Sequence, residues 1–182
     1  MGMKMKKYLL ISAIFFSSTL FSGQSLAKSG SFGIGIHGGY AIKTFTGYEK
    51  SPIAGAVRLS YYIKPEFFGG LSGNYLKVKS QGGGAVKVTI TGGRLYFGYA
   101  VGGFKHKLTP YLAVHGSYNK LSSAGNSESK FGFGGFAGLD LALAGGWHLQ
   151  FDGDFNYFKL PNTWSPRTIA PITLHFGVAY IF

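Results

Sequence analysis

The residues able to do chemistry in this 182-residue chain are few. There is no cysteine, so thiolate nucleophiles, thiolate metal sites and disulfides are excluded. Five histidines (His37, His106, His115, His148 and His175) are spread over separate stretches with no H-x-x-x-H spacing, so neither a metal centre nor a cofactor is expected. His115 and Ser117 are two residues apart, which on a strand sets an imidazole and a hydroxyl on one face. Arg58, Arg94, Asp140, Asp152 and Asp154 lie within runs whose alternate residues are large and apolar. Charges placed there are costly unless paired, which predicts an internal network joining Arg58 or Arg94 to Asp140 or Asp152.

The elements that must position these residues are strands. Trp147, Leu149, Phe151, Phe155 and Tyr157 alternate with His148, Gln150, Asp152, Asp154 and Asn156, and a period of two is the mark of a strand with two unlike faces. The stretch Ile172 to Phe182 repeats it, with Ile172, Leu174, Phe176, Val178, Tyr180 and Phe182 on one parity. Eight such runs follow one another, starting near Phe32, Ala56, Phe67, Val86, Tyr111, Phe131, Trp147 and Ile172. In most of them the second face gathers Gly, Ser, Asn, His, Arg and Asp. A soluble lipocalin-like barrel would bury its apolar face, so the polar face here is the inner one and the apolar face meets lipid. Thirty glycines and 17% aromatic residues suit such a wall, small inside and aromatic outside.

Connections sharpen the picture. Lys64-Pro65-Glu66, Gly102-Gly103 and Ala144-Gly145-Gly146 are short turns, while Lys43 to Pro52, the Gly82-Gly83-Gly84 tip, Leu121 to Lys130 and Lys159 to Ala170 read as longer polar loops. Short and long connections in turn predict an all-β, eight-stranded antiparallel up-and-down transmembrane β-barrel, closed because lipid tolerates no unpaired sheet edge. In the fourth run parity switches at Gly92-Gly93; either a bulge lies there or Val86 to Ile90 stands above the membrane.

The first residues read as an address. Lys4, Lys6 and Lys7 precede an uncharged apolar run, Tyr8 to Phe21, and small Ser25 and Ala27 follow, so 1–27 is expected to be a cleaved signal peptide and 28–182 the barrel domain. The predicted location is the bacterial outer membrane. Of 18 Lys and Arg only three leave with that leader, and all six acidic residues stay, so the barrel is strongly basic. No Arg-rich or aromatic nucleic-acid motif accompanies the charge, and no nucleic acid is expected. Lys43, Lys50, Lys79, Lys120, Lys130, Lys159 and Arg167 fall in or beside the long loops, where a cationic rim would face lipopolysaccharide head groups or serve as ordinary solvated charge.

Over essentially all of 28–182 the chain resembles the small eight-stranded outer-membrane barrels of the OmpA/OmpX type. The resemblance is carried by the ending Tyr180-Ile181-Phe182 behind Leu174, Phe176 and Val178, by Thr109-Pro110-Tyr111-Leu112 opening a strand, and by the Gly-rich Phe131 to Leu143 strand. It implies that Phe176, Val178, Tyr180 and Phe182 are read by the barrel-assembly machinery. The expectation is a monomeric, non-enzymatic envelope protein with a packed polar interior, in a structural and surface-interaction role. A second, narrower likeness joins His115-Gly116-Ser117 to the outer-membrane lipid A deacylases. It implies that His115 activates Ser117 for ester hydrolysis while Glu128 orients the histidine. Tyr118 stands where that family has Asn, parity turns His115 and Ser117 inward, and Glu128 falls in an expected loop. The hydrolase and a small-solute pore remain as alternatives.

Overall fold

The structure is a computed structural model that describes residues 27–43, 53–79, 87–104, 106–123, 126–159 and 168–182. Its strands are β1 (Phe32–Lys43), β2 (Ile53–Tyr62), β3 (Phe67–Lys79), β4 (Lys87–Ala100), β5 (Leu108–Ser123), β6 (Asn126–Ala142), β7 (Trp147–Lys159), β8 (Thr168–Ile169) and β9 (Ile172–Ile181). Each long strand pairs antiparallel with its neighbours in sequence, and β9 pairs with both β7 and β1, which closes the sheet. The two-residue β8 pairs only with β7 and continues the line of β9. The result is a closed eight-stranded barrel with every long strand paired on both sides. Among the described residues no helix is long and apolar enough to cross a membrane.

Side-chain facing follows the alternation. Ile36, Leu95 and Phe131 are 68%, 67% and 80% exposed on the outer wall, whereas Asp140 and Asp152 are fully buried. An apolar surface of this extent around a charged interior is the arrangement that lipid, not water, stabilises. Aromatic rings mark both rims of the wall. At the end where the short turns lie, Trp147 and Tyr180 are 5.0 Å apart and Phe67 and Tyr99 are 5.2 Å apart. Toward the other end stand Tyr118 with Phe131 at 5.0 Å and Phe133 with Tyr157 at 5.2 Å. Two of the three short turns take positive φ, supplied by Gly102 and Gly103 in one and by Gly145 and Gly146 in the other.

Two expectations are corrected. No bulge interrupts β4: Gly92 pairs with Asn74 and Gly93 with Gly73 in unbroken register, and the same holds toward β5. Before the glycines Val88 and Ile90 are buried inside the barrel against Leu76, Leu121 and Phe158, and Val88 and Thr89 pair with Ser123 and Ser122. Parity switches in the sequence because the interior itself turns from polar to apolar near that end. Likewise Leu121 to Lys130 is not a long loop. Leu121 pairs with Glu128, Ser122 with Ser127 and Ser123 with Asn126, so β5 and β6 run on as a hairpin. Outward polar residues there mark strand standing in water beyond the apolar band. A register irregularity does occur elsewhere, between Ala41 and Lys43 where β1 meets β9. The expected leader lies outside the described residues except for Ala27.

Candidate functional site: the barrel interior

The inward faces of the strands fill the lumen in three layers. At the turn end, Phe104 folds inward from the β4–β5 connection, its N–H held by the Pro65 carbonyl at 2.9 Å. It meets Tyr62 edge-on at 5.2 Å and Phe68 at 5.5 Å, and Tyr111 and Phe136 extend the same aromatic layer. At the loop end the apolar layer of Leu76, Val88, Ile90, Leu121 and Phe158 closes the other side. Between them lies the polar network.

Asp152 is its hub. Arg58 donates to it through Nη1 at 2.7 Å and Nη2 at 2.9 Å, Tyr111 donates its hydroxyl at 3.0 Å, and His175 Nδ1 donates at 3.2 Å. These bonds occupy about four lone-pair sites, the full acceptor capacity of a carboxylate. The guanidinium also lies 4.3 Å over the Phe136 ring, so its face is covered while its edge is paired. A bidentate, multiply bonded pair of this kind is the geometry in which a buried charge is tolerated.

A second centre pairs Arg94 with Asp154, to which His115 Nε2 also donates at 3.2 Å. The third carboxylate takes no arginine. Asp140 accepts from His148 Nδ1 at 2.7 Å and from Gln150 Nε2 at 2.9 Å, and Gln150 Oε1 in turn accepts from His37 Nε2 at 2.9 Å. Ser117 donates to Asn156 Oδ1 at 2.9 Å and accepts from Asn119 Nδ2 at 2.8 Å. Thus Arg58 takes Asp152, Arg94 takes Asp154 instead of Asp140 or Asp152, and Asp140 is joined to His148 and Gln150. Four of the five histidines sit in this interior; His106 is exposed beside the β4–β5 turn. Among the described residues no group of three or more potential ligands could hold a metal ion.

The His115, Ser117 and Glu128 set is not assembled. His115 and Ser117 share the inner face, but each is bonded elsewhere, and Glu128 is ion-paired with Lys130 at 3.2 Å on the outer reach of β6. No hydrogen bond links the hydroxyl to the imidazole among the described residues, and nucleophile activation needs one. The space beside Arg94 and Asp154 is about 30 Å³, the scale of a water and not of an acyl chain.

Of the expected rim, Lys120 and Lys159 are exposed on the outer parity of β5 and β7, and Lys130 is partly covered through Glu128. Lys50 and Arg167 lie outside the described residues, and Lys43 and Lys79 are described by their backbone only. Phe176 and Phe182 are exposed on the wall at 57% and 72%, with Phe182 against Tyr180 at 4.9 Å. Sequence reasoning missed Tyr111, Phe104 and Gln150. Tyr111 was legible as an inward-parity residue; Phe104 carried no signal, because it lies in a turn where parity has no meaning.

A closed sheet with lipid-compatible side chains outside and an ion-paired, hydrogen-bonded polar core inside defines an integral β-barrel membrane protein. The chain belongs to the outer membrane protein beta-barrel domain family, whose description matches residues 13–182. Its location is therefore the bacterial outer membrane. Solved structures agree in fold. Neisserial surface protein A superposes with a TM-score of 0.65 at 18% identity, over 85% of this chain and 100% of that one. OprG of Pseudomonas aeruginosa gives 0.61 at 14%, over 88% and 98%. Ail, the attachment invasion locus protein of Yersinia pestis solved with the heparin analogue sucrose octasulfate, gives 0.52 at 16%, over 85% and 99%. The sequence matches none of the curated proteins.

Proposed function

We propose that the protein is a non-enzymatic, non-conducting barrel that serves the envelope as a structural and surface-interacting element, with lipopolysaccharide as its nearest partner. The observation that carries this reading is the filled lumen. Aromatic, ionic and aliphatic layers follow one another along the axis, and each inward charge has a partner within hydrogen-bond distance. In this reading the short turns face the periplasm and the long connections face outside, as is usual for such barrels. The exposed Lys120 and Lys159 then stand at the level of anionic head groups, where each cation is worth about 1 kcal/mol of attraction. The barrel-assembly machinery reads the outward row Phe176, Val178, Tyr180 and Phe182 during insertion, after export on a leader ending at Ala27. The barrel acts as a monomer.

The deciding experiment is conductance in a planar lipid bilayer, using protein first shown to migrate as a heat-modifiable folded barrel. The expected result is no stable open channel. Sustained ohmic conductance from single barrels would overturn the sealed-core reading.

A further inference from the structure

The outer wall is not an even cylinder. Across β2 to β5 one register row runs Tyr61, Gly69, Phe97 and Val114, and a row above its far end runs Leu95, Gly116 and Phe133. All of these residues lie on the outward parity. At Gly69 and at Gly116 the wall therefore has no side chain between large neighbours: Tyr61 and Phe97 flank the first, Leu95 and Phe133 the second. The gaps join into one groove on the lipid side holding about 720 Å³, within the roughly 300–1,000 Å³ usual for ligand sites.

The groove opens toward the short turns. Its lower end is lined by Tyr61 and Ile63 at the turn-end rim, and exposed Lys64 follows in the turn itself. Its upper end is Gly116 beside Phe133. Directly above these, Tyr118 and Phe131 are register partners with rings 5.0 Å apart, and the groove stops beneath them. Tyr61 stands one residue above the turn end of β2 and Gly116 eight above that of β5, a difference of seven. Seven residues at roughly 3.3 Å each and a tilt of about 40° climb about 18 Å of an apolar band about 25 Å tall. A methylene chain that enters at the short turns can lie along this climb, whereas one anchored at the long connections meets the paired rings first.

We propose that this groove binds one acyl chain of a glycerophospholipid of the periplasmic leaflet, with the lipid phosphate at the rim beside Lys64. Shape and charge both select this occupant. The groove is one glycine wide between bulky side chains, which suits a single methylene chain; a second barrel would bring a whole sheet face and meet the flanking Leu95 and Phe133 instead. At the mouth Lys64 is exposed and makes no ion pair among the described residues, and a phosphate supplies the opposite sign. The inference rests on the reading above that the short turns face the periplasm, and it concerns the leaflet opposite to lipopolysaccharide.

The test uses the full folded barrel in detergent and native mass spectrometry, with phosphatidylglycerol carrying a diazirine near the end of one acyl chain as the probe. One probe should be retained, and irradiation should attach it near Leu95, Val114 and Phe133. A Cβ on Gly116 or on Gly38 meets nothing within 4 Å, so a side chain can be added at either without disturbing the packing. Gly116→Leu fills the groove and should weaken retention about tenfold, while Gly38→Leu, on β1 and away from the groove, should leave it unchanged. Lys64→Gln should weaken it about fivefold, the effect of one cation on an anionic head group. Equal retention by wild type and Gly116→Leu, equal loss in Gly38→Leu, or attachment spread around the wall overturns the site and leaves the barrel reading standing. A dimer that Gly116→Leu dissociates assigns the groove to a second copy and overturns it also. Reaction of Lys64→Cys with a membrane-impermeant thiol reagent on intact cells overturns the orientation, and with it the leaflet, even where the groove retains the probe.

Discussion

Arg58 and Asp152 meet across the lumen with Nη1 to Oδ2 at 2.7 Å and Nη2 to Oδ1 at 2.9 Å, although 94 residues separate them in the chain. The pair ties β2 to β7, two strands that are not neighbours in the sheet. It therefore braces the barrel through its lumen, between strands that backbone pairing does not join. Removing one partner strands the other. Arg58→Met should destabilise the barrel by about 3–5 kcal/mol, and Arg58→Met/Asp152→Leu by less than the sum of the single changes. Urea unfolding in lipid vesicles reads both, and strict additivity would count against a direct pair.

Inward and outward glycines should behave differently. At Gly134 a Cβ would run into the Phe155 carbonyl and the His115 ring, while at Gly116 it meets nothing within 4 Å. Gly134→Ala should cost about 1–3 kcal/mol through overpacking, whereas Gly116→Ala should change stability by no more than about 0.5 kcal/mol. The same unfolding assay decides; equal costs would contradict the facing of β5 and β6.

Phe104 closes the turn end from a connection and not from a strand. Truncating it to alanine removes a buried ring packed on Tyr62 and Phe68 and should cost about 3–5 kcal/mol. Bilayer conductance of Phe104→Ala should stay closed, because the ionic and aliphatic layers remain above it. A channel opened by this change alone would show that the turn-end layer is the only seal.

Ser117 should matter to stability and not to turnover. Ser117→Ala removes the bonds to Asn156 and Asn119 inside the barrel and should cost about 1–3 kcal/mol. Incubation with lipid A, followed by mass analysis of the released fatty acids, should show no ester hydrolysis by either form. Deacylation by the wild type that disappears in Ser117→Ala would establish the hydrolase instead.

The sequence by itself determined the architecture. A strand has only two faces, so Trp147 to Tyr157 and Ile172 to Phe182 each disclose which residues meet lipid and which meet one another inside. Alternation repeated in eight runs, with glycine and proline between them, leaves a closed barrel as the arrangement without lipid-exposed edges. The inward placement of Arg58, Arg94, Asp140, Asp152, Asp154, His115 and Ser117 was legible for the same reason, because parity is a local property. Which charge meets which was not. Partner choice depends on the stagger of eight strands and on side-chain reach across the lumen, so only the closed sheet sends Arg94 to Asp154 and Asp140 to His148 and Gln150. The same limit applies to Gly92-Gly93, where a change in interior polarity looks in one dimension like a slip of register. It applies also to Leu121 to Lys130, where polar residues on a strand standing in water look like a loop. Phe104 plugs the barrel because a turn folds back on its axis, and no periodicity records that.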